Sequence, residues 1–337
     1  MIIILKKDAD KSQVENLKSW LRERHITPHV SEGENETLIG CVGDVAKIDV
    51  GLVQALNAVE RVQRVQEPYK AANRKFHPED TVVDCSGVKV GGGNFQVIAG
   101  PCSVETPEQV LAIAKAVKAA GATMLRGGAF KPRTSPYSFQ GLGKRGLEIL
   151  LEARKETGLP IVTELMAIDQ LPLFNDVDVI QIGARNMQNF DLLREVGAQT
   201  KKPVLLKRGM SATLQELLMS AEYVMASGNE NVMLCERGIR TFETATRNTI
   251  DLTVIPVLKR LSHLPVIIDP SHSTGYAHLV EPLAMGATAM GADGLIIEVH
   301  NNPPCALCDG AQSQTPEMFA GTMKKIGALR PYAWKRP

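Results

Sequence analysis

The sequence predicts an α/β protein, a (β/α)8 TIM barrel preceded by a small ferredoxin-like βαββαβ domain. From residue 95 onward, eight short apolar runs alternate with helical segments over about 240 residues, the pattern of such a barrel. Before residue 66, the order of predicted elements is strand, helix, strand, strand, helix, strand. We therefore expect a ferredoxin-like domain at 1–66, a linker at 67–81, and the barrel with an N-terminal hairpin at 82–337.

Hydrophobic periodicity predicts the elements of the small domain. Leu17 and Leu21 fall on one face of a helix. The last strand is ambiguous, because Val59, Val62 and Val65 repeat every three residues rather than every two. The strands are predicted at 2–5, 29–30, 37–42 and 61–66, and the helices at 14–21 and 48–59.

The segment that follows is predicted to connect the two domains. Residues 70–80 are largely polar and contain Pro78, which favours a linker. Ser86-Gly87 separates two short β-like runs within 82–90, so a hairpin is expected before the barrel.

The barrel itself is predicted from its repeating pattern. Its first helix has a capping box at Thr106-Pro107-Glu108-Gln109 and ends before Gly121. An open doubly wound sheet is the alternative, but no GxGxxG fingerprint follows the first strand. The strands are predicted at 95–99, 122–125, 160–163, 178–182, 203–206, 231–235, 265–268 and 294–297.

Composition excludes several classes of function. The chain has 38 basic and 37 acidic residues among 337, so nucleic acid is not an expected partner. No run approaches the roughly 18 apolar residues of a membrane span. The apolar start, Met1 to Leu5, is too short for a signal peptide, so we expect a cytoplasmic protein.

The six cysteines do not indicate a disulfide scaffold, because the chain is too long for that class. Cys305-x-x-Cys308 has the spacing of a redox or zinc motif. It follows Pro303-Pro304 and lacks a second CxxC, which favours incidental thiols; a redox role for this pair stays open.

A cationic, glycine-punctuated segment follows the second barrel strand. Arg126 to Thr134 holds three cations and two glycines in nine residues. Glycine lets a backbone approach a ligand closely, and arginine matches phosphate or carboxylate with a bidentate fork. A solvated charged turn is the alternative, but the active sites of such barrels lie at the carboxyl ends of the strands.

Five cations are expected at this end of the barrel. Crowded like charges repel, so the cluster indicates a bound anion of comparable charge, a phosphorylated and carboxylated substrate. Arg133 and Thr134 could hold a second phosphate. The five cations are Arg126, Lys131, Arg185, Lys207 and Arg237.

Four other side chains near the strand ends have metal-ligand chemistry. Cys102, His272, Glu298 and Asp309 combine a thiol, an imidazole and two carboxylates. This mixture suits Mn, Fe, Co or Zn better than Ca or Mg. Each residue also has a structural explanation by itself, and spacing alone leaves the two interpretations open.

Six ordered motifs resemble 3-deoxy-D-arabino-heptulosonate 7-phosphate synthase of the type I-beta form. They are Gly100-Pro-Cys-Ser-Val-Glu105, Leu125 to Pro136, Gln181-Ile-Gly-Ala-Arg-Asn186, Leu206-Lys-Arg-Gly209, Cys235-Glu-Arg-Gly238 and Asp269-Pro-Ser-His-Ser273. The related 3-deoxy-octulosonate 8-phosphate synthase typically has Lys-Ala-Asn-Arg where this chain has Lys131-Pro-Arg-Thr134. The heptulosonate enzyme is therefore favoured, with the octulosonate enzyme and a catalytically silent amino-acid sensor as alternatives.

The resemblance implies condensation of phosphoenolpyruvate with erythrose 4-phosphate at the entry to aromatic biosynthesis. It implies that Cys102, His272, Glu298 and Asp309 hold a divalent metal. It implies that the five cations and the backbone of Ala184 bind phosphoenolpyruvate, and that Arg133, Thr134 and Ser135 receive erythrose 4-phosphate. Glu164 is the candidate for proton transfer, and Lys131, Cys102 and His272 are the other residues expected to be catalytic.

The resemblance also implies feedback control through the small domain. In regulated members this domain binds tyrosine or phenylalanine between neighbouring subunits, where His29 and Ser31 are expected. A solvent-facing histidine beside Pro28 is the alternative. Members of the family are commonly tetramers, so a homo-oligomer is expected.

Overall fold

A computed structural model describes residues 1–33, 36–45, 48–63, 67–133 and 135–336. The chain divides into two compact units. The first contains Met1–Glu79 with Leu261–His263, and the second contains Asp80–Arg260 with Leu264–Pro337.

The first unit contains the predicted βαββαβ order, which is confirmed. Its sheet has the strand order β2-β3-β1-β4, and β1 pairs antiparallel with both β3 and β4. The last strand begins earlier than the ambiguous pattern suggested, and residues 64–66 lie outside the described residues. The elements are β1 (Ile2–Leu5), α1 (Lys11–Arg22), β2 (Thr27–Glu32), β3 (Thr37–Val42), α2 (Val50–Gln54) and β4 (Val59–Gln63).

The unbroken apolar run of β1 is explained by burial on both faces of the sheet. Ile3 and Leu5 join the core that includes Leu17 and Leu21 of α1. Ile2 and Ile4 face the other way and pack with Leu38 and Phe76. A strand buried on both faces needs apolar residues at every position.

The second unit is a closed eight-stranded barrel of parallel strands, which confirms the predicted fold and excludes the open sheet. The last strand pairs with the first, aligning Glu298 with Gly100. The hairpin comprises β5 (Val83–Cys85) and β6 (Val88–Val90). The barrel strands are β7 (Gln96–Gly100), β8 (Met124–Arg126), β9 (Ile161–Glu164), β10 (Val179–Ile182), β11 (Val204–Lys207), β12 (Val232–Glu236), β13 (Val266–Ile268) and β14 (Gly294–Glu298).

Helices surround the barrel, and a 3-10 segment at Ile168–Phe174 occupies the connection from β9 to β10. In the part of the chain that the structure describes, no helix is both long and apolar enough to cross a membrane. The α-helices are α3 (Pro107–Ala119), α4 (Lys144–Thr157), α5 (Phe190–Gln199), α6 (Leu214–Ala226), α7 (Val254–Leu261), α8 (Pro270–Thr274), α9 (Ala277–Ala289) and α10 (Pro316–Leu329).

The start of α3 departs in one respect from the predicted capping box. Thr106 accepts a hydrogen bond from the backbone N of Gln109, as expected. The Gln109 side chain accepts from the backbone N of Glu105 at 3.1 Å instead of returning to Thr106. Its amide also contacts His300, so a tertiary partner redirects the side chain.

One buried core fills the barrel and extends to the hairpin. Every barrel strand contributes at least one apolar side chain to this core: Ile98, Met124, Val162, Val179, Leu205, Met233, Ile267 and Ile296. Val83, Cys85 and Val90 of the hairpin belong to the same cluster. Ser86 donates to Asp178, just before β10, so the hairpin covers the amino-terminal ends of the strands. The opposite end remains available for a site.

We predict that Leu205→Ala lowers the free energy of unfolding by about 2–5 kcal/mol, because it opens a cavity at a fully buried position. Urea denaturation followed by circular dichroism measures the change. Leu173→Ala is the matched control, because Leu173 is 40% exposed and its loss should cost less than about 1 kcal/mol. Equal destabilisation by both variants would contradict the assigned core.

Candidate active site

A cavity of about 570 Å³ lies among the loops at the carboxyl ends of the barrel strands. The structure brings most of the predicted site residues to it. Thr134 lies outside the described residues, and His29 and Ser31 lie on β2 of the first unit. The predicted residues that line the cavity are Arg126, Lys131, Arg133, Ser135, Glu164, Ala184, Arg185, Lys207, Arg237, His272 and Asp309.

The four candidate metal ligands form one cluster beside this cavity. One donor atom from each of Cys102, His272, Glu298 and Asp309 lies within 4.8 Å of the others. His272 Nε2 is 3.2 Å from Glu298 Oε1, and Cys102 Sγ is 3.4 Å from Asp309 Oδ2. Four donors this close, one of them a sulfur and one an imidazole, fit a divalent transition metal.

The orientation of His272 is set by Asp269. Nδ1 of His272 donates to Oδ2 of Asp269 at 2.7 Å, which leaves the lone pair of Nε2 facing Glu298. Burial lowers the pKa of His272, which favours the neutral ring that a metal ligand needs, and the nearby carboxylates of Asp269 and Glu298 act in the opposite direction. Burial opposes ionisation of Asp269, yet His272 and Lys207 hold the pKa of this carboxyl well below its usual range.

Glu298 is held ionised in a fully enclosed position. Its side chain is 1% exposed and pairs with Arg126. Burial would raise the pKa of Glu298, but the neighbouring His272, Arg126 and Lys131 outweigh that effect and lower it. Gln312 Nε2 donates to the second carboxylate oxygen at 2.5 Å, which fixes the orientation of the carboxylate.

Lys131 connects the cations to the cluster. Its Nζ lies 3.0 Å from the carbonyl oxygen of Cys102 and 3.1 Å from the sulfur of the same residue. Burial would lower the pKa of Lys131, but the nearby sulfurs of Cys102 and Cys308 raise it, which keeps the ammonium charged. A charged lysine therefore lies between the four donors and the cavity.

The cavity has a strong excess of positive charge. Among the described residues, eight cationic side chains and two carboxylates line it. The cations are Arg126, Lys131, Arg133, Arg185, Lys207, Arg237, Arg240 and Arg247. Such crowding suits an anionic ligand with more than one charged group.

Glu164 is one of the two carboxylates, and its environment leaves it little freedom. Gln181 Nε2 donates to its Oε2 at 3.2 Å. A Cβ added to Gly183 would lie 1.9 Å from Oε1, so glycine at this position leaves room for the carboxylate. Glu164 is 9% exposed and lines the cavity.

Sequence reasoning missed three contributors to the site. Arg240 and Arg247 come from the loop after β12, whose sequence has no periodic signal. Arg247 reaches Asp309 at 3.7 Å and Gln312 Oε1 at 2.5 Å. Asp269 belongs to one of the six motifs, but its contact with His272 depends on the tight turn into α8.

Two residues lie in surroundings that the sequence did not indicate. Glu236, at the end of β12, is fully buried, and its Oε2 lies 2.9 Å from Nη1 of Arg208. It is not among the described residues that line the cavity. Cys308 is buried, with its sulfur 3.4 Å from that of Cys102, whereas Cys305 of the same CxxC is exposed.

Fold and site together define a class of protein. A closed (β/α)8 barrel with four convergent metal-type donors beside a cationic cavity is the framework of a barrel enzyme that acts on small anionic substrates.

Comparison with known proteins specifies the family. Residues 69–330 match the DAHP synthetase I family, and residues 1–67 match the DAHP synthase ferredoxin-like domain. A Thermotoga maritima protein named phospho-2-dehydro-3-deoxyheptonate aldolase is 48% identical over 330 residues, 98% of this chain and 97% of the relative. A 2-dehydro-3-deoxyphosphooctonate aldolase of Syntrophobacter fumaroxidans is 33% identical over 259 residues, 71% of this chain and 88% of the relative.

Solved structures agree with these matches. The crystal structure of the Thermotoga maritima DAHP synthase has a TM-score of 0.78 and 47% identity, covering 98% of this chain and 97% of its own. A truncated form of the Thermotoga maritima synthase has a TM-score of 0.72 and 49% identity, covering 77% of this chain and 95% of its own. The chain belongs to the DAHP synthetase I family, which confirms the resemblance found in the motifs.

We predict that Asp269→Asn weakens binding of a divalent ion by about 10- to 100-fold, because His272 loses the carboxylate that orients it. Competition with a fluorescent chelator, using Zn²⁺ or Mn²⁺, measures the affinity. Asp293→Asn is the control, since Asp293 is also a buried carboxylate but pairs with Lys259 before β14. Unchanged affinity in Asp269→Asn would exclude this orienting role.

Proposed function

We propose that this chain condenses phosphoenolpyruvate with D-erythrose 4-phosphate and water. The products are 3-deoxy-D-arabino-heptulosonate 7-phosphate and inorganic phosphate, in the first step of the shikimate pathway. The observation that supports it most strongly is the cavity lined by eight cations next to four convergent metal-type donors. This site suits two phosphorylated reactants, one of which also has a carboxylate.

The buried cations position phosphoenolpyruvate. Arg126 and Lys131 lie next to the donor cluster and are almost fully enclosed, so they suit the carboxylate close to the reacting carbons. Arg185, Lys207 and Arg237, with the backbone of Ala184, line the same cavity and hold the phosphate. Fixing both ends of the molecule aligns the enol for reaction, which lowers the entropic part of the barrier.

The segment after β8 receives the aldose phosphate. Arg133 and Ser135 line the cavity and bind the phosphate of erythrose 4-phosphate, together with Thr134 outside the described residues. An arginine fork provides directional hydrogen bonds to a phosphate. The aldehyde end of the aldose then points toward phosphoenolpyruvate, so its carbonyl carbon meets C3 of the enol.

Cys102, His272, Glu298 and Asp309 would hold a divalent metal, Mn, Fe, Co or Zn. When bound, the ion supplies Lewis-acid polarisation of the aldehyde carbonyl. Asp269 and Gln312 orient His272 and Glu298 through hydrogen bonds. The pairing with Arg126 helps to keep Glu298 ionised, so its carboxylate can act as a ligand of the metal ion.

Glu164 moves the proton in the second half of the reaction. Water must add at C2 of the former enol before phosphate leaves, and a carboxylate at the cavity wall can accept the proton of that water. The hydrogen bond from Gln181 fixes one oxygen of Glu164 and leaves the other for this role.

The first unit provides feedback control in this proposal. His29 and Ser31 lie on β2, where His29 is exposed and Ser31 is half-buried, so both can reach a ligand outside the strand. Tyrosine or phenylalanine is the effector, bound between first units of neighbouring subunits in a homotetramer. The domain at 1–66 acts as the sensor and the barrel as the catalyst.

To test the reaction, the purified chain with Mn²⁺ is mixed with phosphoenolpyruvate and either erythrose 4-phosphate or arabinose 5-phosphate. We expect phosphoenolpyruvate loss and phosphate release at least about tenfold faster with the four-carbon aldose, because the site is matched to it. Cys102→Ala is the metal-site control and should lose most of its bound metal and activity. Preference for arabinose 5-phosphate would assign the octulosonate reaction, and no turnover with either would favour a silent sensor.

We predict that His29→Ala and Ser31→Ala each weaken inhibition by tyrosine or phenylalanine about tenfold, since each removes a hydrogen bond to a charged ligand. The half-inhibitory concentration is measured in the same phosphate-release assay. His278→Ala, an exposed histidine on α9, is the control and should keep the inhibition of the parent chain. Unaltered inhibition in both test variants would show that the effector does not bind at His29 and Ser31.

A further inference from the structure

We propose that Glu236 is a positioning residue of the anion site and that it fixes the two cations Lys207 and Arg237 from the outer face of the barrel. It acts together with Arg208 and Asp251, and the three side chains also hold both ends of the loop after β12. The consequence for substrate binding rests on the proposed function, whereas the effect on the loop does not.

The alternation of side chains along the strands places Glu236 outside the cavity. Cys235 of β12 belongs to the barrel core, and Arg237, two residues later, lines the cavity. Successive side chains of a strand point to opposite faces, so Glu236 between them points to the outside of the barrel. At the end of β11, Lys207 lines the cavity in the same way, and Arg208 is not among the described residues that do. Each inner cation therefore has an outer charged residue directly next to it in the chain.

The outer pair is enclosed and makes directed contacts. Glu236 and Arg208 are 0% and 5% exposed, and Oε2 of Glu236 lies 2.9 Å from Nη1 of Arg208. Oε1 of Glu236 accepts a hydrogen bond from the backbone N of Gly238 at 2.6 Å. Nε of Arg208 donates to the carbonyl oxygen of Ala212 at 2.8 Å. The carboxylate thus links the side chain after β11 to the backbone after β12.

The same contacts hold both ends of the loop after β12. At the start of the loop, Gly238 has a φ of +92°, which glycine adopts without steric cost, and its N–H points back to Glu236. At the end of the loop, Oδ2 of Asp251 accepts from Nη1 of Arg208 at 3.4 Å. One buried guanidinium and one buried carboxylate therefore anchor the loop on both sides.

This loop contributes two cations to the cavity. Ile239 and Thr249 exchange two backbone hydrogen bonds of 2.9 Å, so the two arms of the loop are joined at its base. Arg240 and Arg247 lie between these positions and line the cavity. A displacement at the base would therefore move these cations as well.

Stability alone does not account for a buried ion pair at this place. Replacing such a pair by well-packed apolar residues is often neutral or stabilising. An ion pair adds direction, because a guanidinium and a carboxylate meet in a fixed geometry. Glu236 and Arg208 therefore set the spacing between the ends of β11 and β12, and with it the spacing between Lys207 and Arg237.

A change in this spacing should affect one substrate more than the other. Lys207 and Arg237 are assigned to the phosphate of phosphoenolpyruvate. Arg133 and Ser135, which are assigned to the aldose phosphate, follow β8 and are not part of the contacts around Glu236. We therefore expect a change in the KM for phosphoenolpyruvate without a matching change in the KM for erythrose 4-phosphate.

The experiment compares Glu236→Gln with the parent chain, both as full chains with Mn²⁺. Glutamine keeps the shape of the side chain and can still accept from Gly238, but it loses the charge that faces Arg208. We expect binding of phosphoenolpyruvate, measured by isothermal titration calorimetry, to weaken about tenfold or more. The KM for phosphoenolpyruvate should rise similarly, and the KM for erythrose 4-phosphate should stay within about twofold of that of the parent chain. Hydrogen exchange across residues 238–250 should become faster.

Asp293→Asn is the matched control. Asp293 is also a buried carboxylate with a basic partner, Lys259 at 2.8 Å, and it also accepts from a backbone N–H, that of Val266 at 2.8 Å. It lies just before β14, at the amino-terminal end of the strands, so its loss should leave phosphoenolpyruvate binding and exchange across 238–250 unchanged. Thermal denaturation of both variants records the loss of stability that each one causes.

Two further variants test the same contacts where Glu236→Gln does not fold. Arg208→Lys keeps the charge but cannot contact Glu236 and Ala212 at once, so it should reproduce the pattern of Glu236→Gln. Asp251→Asn removes one contact at a side chain that is 27% exposed and should weaken phosphoenolpyruvate binding by only about two- to fivefold. In the double variant Glu236→Gln with Arg208→Lys, the two effects should not add, because both remove the same contact.

Unchanged affinity for phosphoenolpyruvate in Glu236→Gln and Arg208→Lys would overturn the proposal. An equal loss in Asp293→Asn, or an equal rise of both KM values, would reduce Glu236 to a general structural role and overturn it as well. A parent chain that binds phosphoenolpyruvate without turnover would contradict the proposed function, and the comparison of affinities would still decide the role of Glu236.

Discussion

The pairing of β14 with β7 is the contact on which the site depends. In this parallel pair Glu298 aligns with Gly100, which brings the carboxylate at the end of the last strand to within two residues of Cys102. A Cβ on Gly100 would lie 2.0 Å from the carbonyl oxygen of Arg126, so glycine also permits the close approach of β8. Closure of the barrel therefore joins a thiol, a carboxylate and a guanidinium from three separate parts of the chain.

Charge compensation explains how so many ionised groups remain stable in one enclosed place. Arg126 pairs with Glu298 and Lys207 pairs with Asp269, and all four side chains are at most 5% exposed. A buried charge is costly unless a partner and hydrogen bonds offset its lost hydration. The carboxylates therefore hold the inner cations in place, while Arg185, which is exposed, lies at the cavity's solvent side.

The donor cluster depends on residues that touch its members from behind. Asp269 orients His272, Gln312 orients Glu298, and Arg247 contacts both Gln312 and Asp309. These residues come from the turn into α8, from the segment after β14 and from the loop after β12. Cys308 lies next to the same cluster, on the segment after β14.

The sequence by itself determined the order of elements, the barrel class and the residues that were candidates for the site, because periodicity and motif chemistry are local properties of a chain. It identified Cys102, His272, Glu298 and Asp309 as possible ligands but left the structural explanation of each one open. Only the tertiary structure brought their donor atoms within 4.8 Å and placed Cys308 beside Cys102. It also redirected Gln109 to Glu105 and His300 and buried Glu236 against Arg208. These contacts join positions far apart along the chain, so they are fixed by strand register and loop conformation, which no local pattern encodes.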